Sequence, residues 1–257
     1  MFVPLDYHAA GIARVMQEKD PRWFGVADWL LLAASISSVE VDSFKHDPGS
    51  YLCGAAFEYE DAQAELRKAF VERLTIFGFV WSALEAAIDV INPPPLPGDK
   101  GKIRRACRHL ENYFCTREPV AGLSQEVTRF RLIAQECVGL DAVERRMGSV
   151  GDTGASGLGL YLVYVLRNQF AHGSIVFPEP DLDNRPVSPH RDLIECATRI
   201  ILMQIQMLLV ATLSDRDEPV YCPWLNGVDD DEAPLGMVLL ACHLTHGLEG
   251  FQLGLAR

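Results

Sequence analysis

Three polar side chains with complementary chemistry stand close together in the stretch VLRNQFAHGS, residues 165–174. His172 carries an imidazole, which titrates near neutral pH and can accept or donate a proton during a reaction. Arg167 carries a guanidinium, which stays charged and binds two phosphate oxygens at once. Asn168 follows the arginine and can hold either partner by hydrogen bonds. Together these side chains are suited to proton transfer at a phosphate.

The spacing of this pair is a weak signal on its own. An Arg followed five positions later by a His occurs three times: Arg104–His109, Arg167–His172 and Arg185–His190. On a regular helix, five residues also place two side chains about 140° apart. Arg167 and His172 can share a face only if the helix loosens near Ala171 and Gly173. The pair differs from the others in its setting, with an apolar helix before it and Gly173 at the expected left-handed C-cap.

A structural interpretation of the same residues stays open. In that case Arg167 pairs with an acidic side chain, Asn168 satisfies backbone groups, and His172 caps the helix end.

Several helical patterns surround this stretch. Apolar residues at spacings of three and four predict a long helix from Asp61 to Ile91, which the prolines of NPPPLPG end. A basic amphipathic helix is expected from about Lys100 to Phe114, and another helix from Ser124 to Cys137. The string LGLYLVYVLRNQFAH predicts a buried helix, and RDLIECATRIILMQIQMLLVATL predicts a long closing helix.

These elements predict a mainly α fold in three parts. Residues 61–213 form a helical bundle, and residues 1–60 form an N-terminal extension of uncertain structure, with a helix expected in RWFGVADWLLLAASIS. Residues 214–257 form an acidic C-terminal extension that packs on the bundle. Both extensions are expected to be less regular than the bundle.

The charge pattern restricts the kind of ligand. A net charge of −12 argues against a protein that coats nucleic acid, since phosphate binding relies on Lys and Arg. Residues 61–180 are neutral, however, and contain one basic cluster. Its members are Lys100, Lys102, Arg104, Arg105 and Arg108. This cluster is either a solvated helix face or a surface for a short contact with nucleic acid.

The cysteines and the apolar segments indicate where in the cell the protein is located, and the possible metal ligands indicate whether it binds a metal. Seven scattered cysteines without a CxxC pair do not fit a disulfide framework, so a cytoplasmic location is expected. No run approaches eighteen uninterrupted apolar residues, and no membrane span is expected. Cys242 and His246 have a spacing that can share a metal on a helix, but no second ligand pair is nearby. We therefore expect neither a metal nor a cofactor.

The string LRNQFAHG resembles the signature of the HEPN superfamily, in which an Arg, usually followed by a polar residue, precedes a His by four to six positions. Its RNxxAHG form is similar to Apea-like HEPN domains. FVWSALEAAID, which contains Glu85, resembles the first long helix of such domains, and KGKIRRACRHLENYF resembles the basic helix that follows. The helix from Arg191 resembles the closing one. The resemblance covers roughly residues 61–213 and implies a HEPN-like helical bundle.

Many HEPN proteins are metal-independent ribonucleases that act as dimers, often as toxins or defence effectors. The resemblance implies that Arg167 stabilises the phosphorane, His172 transfers protons and Asn168 orients them. Glu85 would orient Arg167, unless it is a solvated helix residue, and the basic cluster would bind RNA. The expected partners are RNA, a second copy of the chain, and an antitoxin or regulatory protein.

A second function is also compatible with the resemblance. HEPN domains occur as non-catalytic modules that bind nucleotides or mediate protein interaction and dimerisation. The net charge of −12 fits these modules as well.

Overall fold

The computed structural model describes residues 1–43, 45–46, 54–95, 101–114, 120–137, 155–175, 177–225 and 232–247. These residues form mainly helices, so the prediction of a mainly α protein is confirmed. The α-helices within these ranges are α1 (Leu5–Lys19), α2 (Phe24–Ser35), α3 (Gly54–Ile91), α4 (Lys102–Tyr113), α5 (Leu123–Glu136), α6 (Ala155–Ala171), α7 (Pro189–Thr212) and α8 (Leu235–Ala241). Strands β1 (Pro219–Tyr221) and β2 (Glu232–Pro234) pair antiparallel, with Val220 opposite Ala233.

Helix α7 is the central element of the core. Every residue from Cys196 to Val210 is buried, and the helix packs against α3, α5 and α6. It begins where Pro189 occupies the first turn and the Ser188 hydroxyl accepts a hydrogen bond from the amide of His190, at 3.3 Å. Proline and a serine cap both favour a helix start, because the first amides of a helix have no partner inside it.

Helix α3 is the longest element described, with 38 residues and a length of about 57 Å. It starts seven residues before the predicted Asp61 and ends at the predicted Ile91. Asn92, with a φ of 46°, turns the chain out of the helix, and prolines follow. Its apolar stripe faces the core, and the buried members of that stripe include Phe70, Phe77, Trp81, Leu84 and Ile88.

Within the described ranges, two helices have the length and hydropathy of membrane-spanning segments. They are Ala56–Ile91 within α3 and Pro189–Thr212, each with a mean hydropathy of 1.7 over an 18-residue window. In α7, 94% of that window is buried inside the protein, and in α3 the share is 44%. The core helix of a bundle meets the same criteria, so length and hydropathy alone do not establish a membrane span.

Both ends of the described chain pack on the same core as the bundle. Ile12 of α1 and Leu30 of α2 are fully buried and belong to one apolar cluster with the side chains of α3 and α7. Val238 of α8 joins the same cluster. The predicted C-terminal extension is described only in part, since residues 226–231 and 248–257 lie outside the described ranges.

A chain of buried polar groups connects these terminal elements. The Nη1 of Arg199 donates to His8 Nδ1 at 3.0 Å, and His8 Nε2 donates to Gln206 Oε1 at 2.9 Å. Gln206 Nε2 then donates to His243 Nδ1 at 3.3 Å, and His243 Nε2 donates to the carbonyl of Ala121 at 2.9 Å. Because a guanidinium only donates, this order assigns the neutral Nε2-protonated form to both histidines.

Burial explains why both imidazoles are neutral. Desolvation, together with the nearby charge of Arg199, holds the pKa of His8 well below its usual range. Desolvation also lowers the pKa of His243 to about 4, although its bond to the Ala121 carbonyl opposes the shift. The polar chain therefore depends on two uncharged histidines.

Candidate functional site

The stretch with Arg167, Asn168 and His172 lies at the C-terminal end of α6. Most of the apolar side chains before it are buried against the bundle, among them Leu160, Leu162, Val163, Val165 and Leu166. The amide of His172 still donates to the carbonyl of Asn168 at 3.0 Å, so the helix stays regular as far as this residue. The predicted site residues therefore lie at the end of a largely buried helix.

The helix turns at Gly173, which has a φ of 63° as predicted for a left-handed C-cap. Its amide donates to the carbonyl of Phe170 at 3.1 Å, and the amide of Ser174 donates to the carbonyl of Gln169 at 2.9 Å. These two bonds satisfy carbonyls that a helix end leaves without partners. The backbone therefore caps the helix, and the imidazole of His172 is not needed for capping.

The side chain of His172 is exposed, and that of Asn168 is half-buried. Within the part of the chain that the structure describes, neither side chain has a hydrogen-bond partner. Since the helix remains regular up to His172, Arg167 and His172 project about 140° apart. One chain therefore does not direct the two side chains at a common point.

Arg167 is half-buried and lies on the indole of Trp81 in α3. Its guanidinium carbon is 5.8 Å from the ring centroid, a distance typical of a cation–π contact. Among the described residues, no carboxylate lies within 4.0 Å of this guanidinium. The expected structural pairing of Arg167 with an acidic side chain is not found there.

Glu85 accepts a hydrogen bond from Trp81 and has no direct contact with Arg167 among the described interactions. Its Oε1 accepts a hydrogen bond from the indole Nε1 at 2.9 Å, and its Oε2 lies 3.7 Å from the Nζ of Lys102. The expected contact between Glu85 and Arg167 is therefore replaced by a connection through the indole. Sequence reasoning placed Trp81 in the core and missed this second contact. The available signal was the spacing of four that brings Trp81 and Glu85 together on one helix face.

The structure distributes the predicted basic cluster over different environments. Lys102 pairs with the Oδ2 of Asp89 at 3.0 Å, so acidic side chains of α3 neutralise it. Arg104 is exposed, Arg105 and Arg108 are half-buried, and Lys100 lies outside the described residues. The cluster is therefore not a uniform basic face.

Arg104 lies on a ring of α6. Its guanidinium carbon is 5.1 Å from the ring centroid of Tyr161, and its Nη2 donates to the Tyr161 hydroxyl at 3.3 Å. Tyr161 neighbours Tyr164, with ring centroids 6.4 Å apart, and Tyr164 stacks on Trp81 at 6.3 Å with an interplanar angle of 19°. We call these three rings the aromatic row. Sequence reasoning missed it, although Tyr161, Tyr164 and Arg167 follow each other at spacings of three.

A cleft of about 390 Å³ lies elsewhere, between α1, α2, α3 and α7. Its lining includes Arg73, Glu195 and Arg199, and it contains none of the predicted site residues. Cys242, considered above as half of a metal pair, is buried and accepts a hydrogen bond from Gln206. Neither feature brings a further group to the end of α6.

The fold and the site define a mainly α-helical protein with Arg167, Asn168 and the exposed His172 at the exit of a buried helix. Comparisons with protein-family models, curated proteins and solved structures give no match to this chain.

Proposed function

We propose that this protein is a metal-independent endoribonuclease with a HEPN-like bundle, which cleaves RNA as a homodimer. One observation carries the proposal. The imidazole of His172 is exposed and has no capping role, and the guanidinium of Arg167 is fixed by a ring without a carboxylate neighbour among the described residues. An accessible base and an unneutralised cation on one helix end are the groups that phosphate chemistry needs.

The reaction transfers the phosphate within the RNA strand. The ribose 2′ oxygen attacks the adjacent phosphorus, the bond from phosphorus to the 5′ oxygen breaks, and a 2′,3′-cyclic phosphate forms. A neutral His172 removes the 2′ proton, and a protonated His172 gives a proton to the leaving 5′ oxygen. Arg167 stabilises the negative charge on the phosphorane, and Asn168 orients the imidazole or the phosphate by hydrogen bonds.

A two-fold dimer explains how these groups meet. The reaction uses an acid and a base on opposite sides of one phosphorus, whereas each chain offers one imidazole at this helix end. Two copies that place their α6 ends against each other supply two histidines and two arginines in one cleft. The separation of about 140° between Arg167 and His172 then places each side chain toward a different part of that cleft.

The biological setting follows from the same resemblance. We propose a toxin or defence effector in the cytoplasm, with an antitoxin or another regulatory protein that restrains it.

A non-catalytic module is the second candidate. The observation that favours it is the charge of the molecule, since the net charge is −12 and Lys102 is neutralised by Asp89. In that case the end of α6 binds a nucleotide or a partner protein without cleaving RNA.

Cleavage of mixed RNA in EDTA tests the proposal. The wild type is expected to cleave, and Arg167→Ala and His172→Ala are each expected to lower the rate by at least about a hundredfold. Arg14→Ala is the matched control for the first variant, because Arg14 also lies on an indole, that of Trp224 at 5.8 Å. His246→Ala, at an exposed histidine, is the control for the second. Equal cleavage by all variants, or no cleavage by the wild type on any RNA, overturns the nuclease proposal.

A further inference from the structure

Arg104 and Arg167 are held at the two ends of the aromatic row. Arg104 contacts Tyr161 at one end, and Arg167 contacts Trp81 at the other. Tyr164 lies between these rings and touches both. The two cations come from helices α4 and α6, yet one continuous set of rings supports them.

This support leaves most donors of both cations available. A ring contacts the flat face of a guanidinium, whereas the N–H donors point outward in its plane. Arg104 uses one donor on the Tyr161 hydroxyl. No carboxylate lies within 4.0 Å of either guanidinium in the described ranges. By contrast, carboxylates neutralise Lys102 and Arg185.

The rings themselves are not a surface for stacking bases. Trp81 and Tyr161 are 5% and 8% exposed, so their faces are already covered by the protein. The row therefore supports the two cations and does not itself offer a surface for bases.

The two ends of the row lie at different heights along α6. Tyr161 and Arg167 are six residues apart on α6, which corresponds to about 9 Å along the helix axis. Two cations at separate positions on one surface can bind separate phosphates of one strand.

We infer that Arg104 is a second phosphate-binding residue of the Arg167 site. An RNA strand with its scissile phosphate at Arg167 places another of its phosphates against Arg104. This inference rests on the proposed function, because it takes RNA as the ligand. The inference assigns this role to Arg104 and not to the other basic residues of α4, because Arg104 is exposed and contacts Tyr161 of the aromatic row.

Binding measurements on the His172→Ala protein test the inference without cleavage. The probes are a labelled single-stranded RNA oligonucleotide that reaches both cations and a labelled dinucleotide that reaches only one. Arg104→Gln in this background is expected to weaken oligonucleotide binding roughly tenfold. The slope of the logarithm of the binding constant against the logarithm of salt concentration is expected to become smaller by about 0.7. Dinucleotide binding is expected to stay the same.

Arg14→Gln is the matched control, since Arg14 is exposed and lies on the separate ring of Trp224. An equal loss of oligonucleotide binding in Arg14→Gln and Arg104→Gln overturns the inference, because it indicates a diffuse charge effect. Unchanged oligonucleotide binding in Arg104→Gln also overturns it, as does a failure of the His172→Ala protein to bind the oligonucleotide.

The result separates this inference from the nuclease proposal. If the wild type cleaves RNA while Arg104→Gln binds normally, the inference alone is wrong. If oligonucleotide binding depends on Arg104 while the wild type cleaves no RNA, the inference is supported and the nuclease proposal is overturned.

Discussion

The guanidinium carbon of Arg167 lies 5.8 Å from the ring centroid of Trp81, which comes from a helix more than eighty residues earlier in the chain. The contact fixes the cation while its N–H donors remain available. Glu85 in turn fixes the indole through its Nε1–H. The position of the proposed phosphate-binding cation is therefore set by α3, and substitutions in α3 are expected to affect a reaction at the end of α6.

Replacing Trp81 by Leu is expected to lower kcat/KM for RNA about 3- to 30-fold, because the cation–π contact contributes about 0.6–2 kcal/mol to holding Arg167. Trp81→Phe keeps a ring and is expected to lose less. Trp23→Leu is the control, since Trp23 is also buried but does not contact Arg167. Activity is measured well below the melting temperature of each variant. Similar kcat/KM losses in Trp81→Leu and Trp23→Leu would show that only general stability is affected.

The buried histidines are expected to make the protein less stable in mild acid. The pKa of His243 falls to about 4 on folding, from about 6.5 in the unfolded chain. Below pH 6.5 the unfolded chain therefore binds a proton that the folded chain does not, and stability decreases as the pH falls toward 4. For His243 the loss between pH 6.5 and 5 is about 2 kcal/mol, and His8 adds to it in the same direction.

Urea unfolding at several pH values measures this dependence. His243→Gln is expected to unfold with a shallower pH dependence than the wild type, although its stability at neutral pH is lower. His246→Gln changes an exposed histidine and is expected to keep the wild-type slope. Parallel slopes for the wild type and His243→Gln would contradict the assignment of a neutral buried imidazole.

Alanine substitutions at Gly173 and Gly78 are expected to change stability in opposite directions. An added Cβ at position 173 meets no atom within 4 Å, so only the backbone conformation opposes a side chain there. Gly173→Ala is therefore expected to lower the free energy of unfolding by roughly 1–2 kcal/mol, the cost of a φ of 63° for a residue with a Cβ. Gly78, within α3, is equally open, but it has ordinary helical geometry. Gly78→Ala is therefore expected to stabilise the protein by about 0.5–1 kcal/mol. Free energies of unfolding that change in the same direction in both variants would contradict the left-handed cap.

Mixing experiments test the shared cleft. If each cleft needs His172 from both copies, equal amounts of wild type and His172→Ala exchange into dimers of which about one quarter are fully wild type. The RNA cleavage rate per total protein is then expected to be about a quarter of the wild-type rate. If each chain cleaves RNA without its partner's His172, the mixture is expected to show about half of the wild-type cleavage rate. A mixture of wild type with His246→Ala is the control and is expected to keep the full rate.

Much of the secondary structure could be predicted because long apolar stripes and strong breakers define it. The prolines after Ile91 and the glycine at position 173 end their helices where the sequence pattern predicts. The start of α3 could not be located, because residues 54–60 contain no capping signal and their mix of apolar and acidic residues fits a helix or a loop. Helix ends without a cap are set by tertiary packing.

The candidate site could be predicted only in part. The sequence alone indicates Arg167, Asn168 and His172 as candidate site residues, because the chemistry of an imidazole or a guanidinium depends on the residue type. The position of Trp81 beneath Arg167 depends on which helices pack together, and periodicity within one helix carries no information about that. The pairing of Lys102 with Asp89 has the same origin, because it joins α4 to α3.

The backbone cap at Gly173 and Ser174 has a consequence for mutational screens. Because the main chain alone closes α6, position 172 should accept nearly every residue except proline without loss of soluble, folded protein. If the protein is the nuclease proposed above, a saturation library at this codon sorts its members by RNA damage in the host, and not by expression level.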